Sequence, residues 1–188
     1  MTSAVSICNR ALQKLGADRI VSFDEDVTAA RECAAAYPSL RDAELRAHPW
    51  GFAIKRTMIA ADADAPVFGY DYSYTLPIDF LRLLSNETQA YGFDYKIEGG
   101  KILCNEAAPL PLRYIARITD TTVYDELFRE ALATRIAFEL CERITQSNAK
   151  GAQLREDYKQ AIREARRANA LEKVSLDFPE TSWTMARL

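Results

Sequence analysis

The sequence has one histidine, His48, in 188 residues. Its four cysteines, Cys8, Cys33, Cys104 and Cys141, lie far apart and none forms a CxxC pair. Zinc needs several thiolate or imidazole ligands at short spacing, so this set does not make a metal site. The cysteines read instead as small buried apolar side chains in a reducing compartment. Glycine is also scarce, with seven in all, of which only Gly99 and Gly100 are adjacent. G-x-x-x-x-G-K-[ST] and G-x-G-x-x-G are both missing, which removes the common phosphate cradles. G-x-S-x-G is missing too, so His48 has no nucleophile elbow to serve. No cofactor is expected.

Charge of one sign is never concentrated. The nearest basic run, REARR at 163–167, is diluted by acids upstream, and the net charge is −3 with a pI of about 5.3. Gripping nucleic acid requires a dense positive face to neutralise phosphates, and none is legible here. No run approaches eighteen apolar residues, so no membrane span is expected. The first residues, MTSAVSICNRALQKLG, lack the basic-then-apolar order of a signal peptide. What the chain does have is an ordinary globular balance, 48% hydrophobic and 27% charged, enough for one domain with a real core or one domain with an insertion.

Helical spacing marks four segments. Over 3–15, Val5, Cys8, Leu12 and Leu15 share a face, Thr2 or Ser3 can cap, and Gly16 ends the element. Over 27–47, Asp26 is the expected cap, and Ala30, Cys33, Tyr37, Leu40 and Ala47 form the apolar face. Arg31, Glu32, Arg41, Asp42 and Glu44 fall mostly off that face. Pro38 inside this pattern should kink or split the helix. Over 124–147, Phe128, Leu132, Ile136, Leu140 and Ile144 step by four, with Asp125 as cap. Over 149–171, Leu154, Tyr158, Ala161, Ile162 and Ala165 face inward and charges of mixed sign face out.

From Ile54 to Ala116 the period shortens. IKRTMIA, YDYSYTL, DFLRLLS, DYKIEGGKILC and LPLRYIAR are brief, rich in aromatic and branched residues, and divided by Pro, Gly, Asn and Asp. YKIEGGKIL reads as two apolar strands joined across Glu98-Gly99-Gly100, where glycine tolerates the positive φ of a tight hairpin. A small antiparallel sheet is expected. The fold class is therefore α+β: a helical bundle over 1–53 and 124–171, a β insertion over 54–123, and an extended C-terminal arm over 172–188.

Two stretches stand out. AHPWGFAIKR, residues 47–56, holds the histidine and one of the two tryptophans. Pro49 stops the second helix, because the residue before proline avoids helical backbone. Gly51 lets the chain reverse, and Trp50 and Phe52 fill the junction of bundle and sheet. His48 sits at a helix C-terminus, where partial negative charge favours it. These four, Pro49, Trp50, Gly51 and Phe52, read as a structural corner. The second stretch is the tail EKVSLDFPETSWTMARL, which lacks helical period yet carries Phe178, Trp183, Met185 and Leu188. It either folds back on its own subunit or docks on another chain through aromatic anchors.

In order, ICNRALQKLG, AARECAAAYPSLRDAELRAHPWGFAIKR, FGYDYSYTLPIDFLRLL, the long stretch YKIEGGKILCNEAAPLPLRYIARITDTTVYDELFREALATRIAFELCERITQS and SWTMARL resemble the bacteriophage head-to-tail adaptors of the tail tubular protein A type, found in podoviruses and related phages. The likeness covers nearly the whole chain. Its most specific part is the helix–PWxF–strand corner followed by Y-x-Y-x-L-P-x-D-x-L-R. The resemblance implies a ring, commonly a dodecamer, that binds beneath the phage portal protein after packaging, in the virion and, during assembly, in the host cytoplasm. It also implies an extended DNA channel with no sequence-specific binding, a platform for the tail nozzle or tail tube protein, and a C-terminal arm along the portal. On physical grounds Phe178, Trp183, Met185 and Leu188 are the portal-binding anchors. The alternative is a virion-associated peptidoglycan hydrolase, an activity proposed for some adaptor-type proteins. It would need two acids flanking one sugar bond. Asp24, Glu25, Asp26, Glu87 and Glu98 are available, but acids this common read as solvated surface. A host regulatory helical protein is a third reading, weakened by the absence of a basic recognition helix.

Overall fold

The computed structural model describes residues 3–84 and 94–172. The first helix, α1 (Ala4–Leu15), starts on a reciprocal capping box: Ser6 N donates to Ser3 Oγ and Ser3 N to Ser6 Oγ, at 3.1 and 2.9 Å. Gly16, at φ +75°, closes its last turn by donating to the Gln13 carbonyl. The second helix, α2 (Thr28–Ala47), begins one residue later than the spacing predicts, and Asp26 does not cap it. Val27 is the N-cap and makes no side-chain bond, while Asp26 pairs with Arg31 at 2.7 Å. Pro38 does not split α2. Ala30, Cys33 and Tyr37 before it and Leu45 after it are all buried. Packing on both sides of the proline outweighs the roughly 3 kcal/mol that its lost hydrogen bond and ring clash cost.

The inward face of α2 also differs from the apolar pattern. Arg41 and Glu44 are buried. Arg41 is neutralised by Asp42 at 2.8 Å and covers the Tyr37 ring; Glu44 accepts from the Tyr158 hydroxyl at 2.5 Å. A charged side chain can enter such a face only with a partner, which Asp42 supplies to Arg41 from the same helix and Tyr158 supplies to Glu44 from across the fold.

After α2 a single 3-10 turn (Gly51–Ala53) leads into β1 (Ile54–Ile59). Then follow β2 (Tyr72–Thr75), β3 (Phe80–Leu83), β4 (Tyr95–Glu98), β5 (Lys101–Cys104) and β6 (Leu110–Ala116). These make two antiparallel three-stranded sheets, ordered β1-β6-β3 and β2-β5-β4, rather than one. The reason lies in β6. Ile115 packs with the helices, whereas Leu110, Leu112, Tyr114 and Ala116 pack with Tyr74, Ile102 and Cys104 of the other sheet. One face of β6 is thus covered along its length by the second sheet, and the other is covered by the helices at Ile115. The hairpin β4–β5 turns on Gly99 and Gly100, at φ +56° and +78°, the two positive values a two-residue turn demands. Only β5 of this hairpin is apolar and buried. All four residues of β4 are exposed, Tyr95 and Ile97 by 42% and 44%. They share the inward face of the sheet but lie beyond the cover that β6 provides.

The last helices are α3 (Glu126–Thr145), capped by Asp125, and α4 (Asn148–Leu171), capped by Ser147. α3 is the hub: α1, α2 and α4 all pack against it. Its Phe128, Ala131, Leu132, Ile136, Ala137 and Leu140 are buried, the small residues letting neighbouring helices approach. All four cysteines are free and buried. No helix among the described residues is long and apolar enough to cross a membrane.

The hairpin yields a direct test. A Cβ on Gly100 meets nothing within 4 Å, so any cost of Gly100→Ala is conformational. Left-handed backbone in an L-residue costs about 1–2 kcal/mol, and chemical denaturation should show a loss of that size.

Candidate functional site

The chain's most heavily constrained point is the corner after α2. His48 is extended, at φ −140° and ψ 144°, as the residue before Pro49 must be. Trp50 is 1% exposed, and its indole N–H donates to the Glu44 carbonyl at 2.9 Å. Around it, the His48 and Phe128 rings meet Trp50 edge-on at 4.6 and 4.9 Å. Phe52 stacks on Trp50 at 6.1 Å and touches Tyr124 and Phe128. The rings knit the end of α2, the start of β1 and the first turn of α3 into one aromatic block. Gly51 has no positive φ. The reversal is made by the 3-10 turn, not by left-handed backbone, and a Cβ on Gly51 would sit 3.5 Å from Asn169 Oδ1, an ordinary contact.

Asn169, near the end of α4, locks this corner. Gly51 N donates to its Oδ1 at 2.8 Å; its Nδ2 reaches His48 Nε2 at 2.9 Å and donates to the Pro49 carbonyl at 3.3 Å. The Gly51 bond fixes which way the amide points. His48 Nε2 therefore faces the amide nitrogen of Asn169. Asn169 was not singled out in the sequence. The step of four that places Ala165 on the inward face of α4 also places Asn169 there, and an asparagine at such a position signals a polar partner.

Three further polar groups hold elements together. Glu44 and Tyr158 join α2 to α4; burial, and then the Glu44 carboxylate, push the Tyr158 phenol up to about 12. Arg135 of α3 lies over the Tyr158 ring at 5.2 Å. On the far side of α3, Glu130 receives Arg10 through two bonds of 3.0 Å and Lys14 at 2.7 Å. Arg10, and then Lys14, hold its carboxyl down at about 2. Between the sheets Tyr114 donates to Asp79, which also binds Lys55; burial opposes ionisation of Asp79, but these partners bring its pKa below the ordinary value. Asp62 is likewise lowered to about 2, first by Lys101 and then by Ser73.

No family model matches this chain, and neither does any curated protein. Its chemistry must be read from the groups themselves. Every displaced carboxylate among the described residues is displaced downward, so each is a fixed anion at neutral pH and cannot donate a proton as a general acid. No group of three or more His, Cys, Asp or Glu among the described residues is arranged to hold a metal ion. Cys8 and Cys33 meet in the core, and their contact, with burial, holds the Cys8 thiol well above its usual range. Of the sequence-level candidates, Pro49, Trp50, Gly51 and Phe52 come together in the corner. Phe178, Trp183, Met185 and Leu188 lie outside the described residues.

Two outcomes follow. Asn169→Ala removes the acceptor of Gly51 N and the donor to His48, and should cost about 1–3 kcal/mol in denaturant titrations. For Glu130 the folded pKa is about 2 against an ordinary 4.5, so in that window the unfolded chain binds more protons. The stability Glu130 contributes is complete above about 4.5 and is lost as pH falls towards about 2; Glu130→Gln should flatten that part of the stability–pH curve. Its size is limited by solvent screening of a carboxylate 38% exposed.

Proposed function

We propose that this chain is a structural adaptor of a phage virion, forming a ring beneath the portal that extends the DNA channel and offers a platform for the tail nozzle or tube. In this reading the four helices form one bundle, 1–53 and 124–171, with the β region 54–123 inserted into it. The C-terminal arm, 172–188, docks on the portal through Phe178, Trp183, Met185 and Leu188.

The observation that carries the reading is the order of elements: two helices, six strands in two small sheets, two more helices, then a terminal segment rich in aromatic and apolar anchors. This order coincides with the resemblance to tail tubular protein A-type adaptors over nearly the whole chain. Two physical features agree with it. The carboxylates, cations and aromatics described above tie elements together, as a load-carrying part requires. The net charge of −3 suits a lumen through which DNA passes without sticking.

The deciding experiment compares the solution mass of the full chain and of a version ending at Leu171, each alone and mixed with the cognate portal ring. The full chain should join the portal as a ring and the shortened one should not. Failure of the full chain to associate with the portal would remove the adaptor reading.

A further inference from the structure

The exposed side of α4 sorts its charges in a way that the order of residues conceals. Arg155, Lys159, Arg163 and Arg167 are all exposed and follow one another at intervals of four. Four residues of helix advance about 6 Å and turn about 40° past a full circle, so these cations form one slowly winding stripe about 18 Å long. Arg166 lies half-buried beside it. Two of the three acids of α4 are taken by amides instead of by these cations. Asp157 accepts from Gln153 Nε2 at 2.8 Å and Glu164 from Gln160 Nε2 at 2.9 Å, in each case from one turn earlier. The third, Glu156, enters the stripe. It pairs with Lys159 at 2.7 Å, and Lys159, then Arg155 and Arg163, hold its carboxyl below the ordinary value. Arg155, Arg163, Arg166 and Arg167 make no ion pair among the described residues. Like charges one turn apart repel, so the stripe weakens the helix that carries it.

Such a stripe calls for a polyanion, and the surface around it distinguishes the kinds. A helix that lies on a membrane sets Trp, Phe or Leu beside its cations. α4 turns Leu154, Ile162 and Ala165 into the bundle, and no large apolar side chain of residues 148–170 is exposed. A protein interface is organised round an apolar or aromatic centre, which the stripe lacks. Single-stranded nucleic acid needs rings on which bases stack. Tyr158 is the one aromatic residue of α4, and its hydroxyl is bonded to Glu44 and its ring covered by Arg135. Duplex phosphates need none of these. Charge meets them, best as an arginine fork that takes two phosphate oxygens. One strand of a duplex presents a phosphate about every 3.4 Å along the axis, so the stripe faces about five.

We propose that Arg155, Lys159, Arg163 and Arg167 lie along the phosphate backbone of duplex DNA and hold it without reading its sequence. The chain as a whole, at −3, repels DNA, so the hold is loose, salt-dependent and permissive of sliding. The contact does not rest on the adaptor reading, which only names the DNA as the packaged genome.

The test uses the full chain and a fluorescent duplex. Anisotropy at about 50 mM salt should show binding that two unrelated sequences share, and log K should fall against log salt with a slope of about −3 to −4, as four phosphate contacts require. An Arg163→Gln, Arg167→Gln chain should bind about tenfold or more weakly, with a slope shallower by about two. An Arg19→Gln, Arg31→Gln chain loses the same charge from exposed sites outside α4 and should bind like the wild type. Thermal melts of both should be unchanged. No binding at about 50 mM salt, or an equal loss in the two variants, overturns the contact. Displacement of the duplex by polyglutamate at a lower concentration of charge also overturns it and assigns the stripe to an acidic protein segment. Equally tight binding to vesicles of phosphatidylserine and phosphatidylcholine overturns it in favour of a membrane. Duplex binding without portal association leaves the stripe standing and removes the adaptor; portal association without duplex binding does the reverse.

Discussion

The burial of Trp50 is the constraint on which the rest of the structure depends. Its indole is closed in by His48, Phe52 and Phe128, and its one polar atom is satisfied by the Glu44 carbonyl. The end of α2, the start of β1, the first turn of α3 and the last turns of α4 therefore converge on one point. Asn169 completes it, because its amide satisfies Gly51 N and engages the His48 ring. A buried ring with a fixed donor has one seating, and that single seating orients both the helices and the first sheet.

From that corner the β region is built outward in layers. β6 lies in the middle of its sheet, with Ile115 in the helical core on one side and Leu110, Leu112, Tyr114 and Ala116 against the second sheet on the other. The second sheet runs past the edge of this cover at β4, and the β1–β2 loop carries Val67 and Phe68 into solvent. Exposed apolar side chains also occur on the helical side, at Val21 and Leu171, where α1 packs against α3 and α2.

Polar groups at the joins between elements serve as struts. Glu44 with Tyr158, Glu130 with Arg10 and Lys14, and Asp79 with Tyr114 and Lys55 each link residues far apart in the chain. The donors around Glu130 and Asp79 hold both carboxylates below their ordinary pKa, so both are anions at neutral pH.

Local sequence determined where the chain changes character. Period-four apolar spacing marked α1, α3 and α4, the run of short branched and aromatic segments marked the strands, and Gly99-Gly100 marked the hairpin, because helix, strand and tight turn each impose a repeat or a φ that few residues satisfy. Pro49 marked the corner for the same reason. Tertiary structure alone decided the rest. Whether Glu44 could be buried depended on Tyr158, whether Pro38 broke α2 depended on packing along both of its halves, and whether Asn169 mattered depended on a backbone N–H more than a hundred residues away. The division into two sheets depended on both faces of β6 being covered at once. These outcomes rest on partners distant in sequence, and spacing along one segment carries no record of what will stand opposite it.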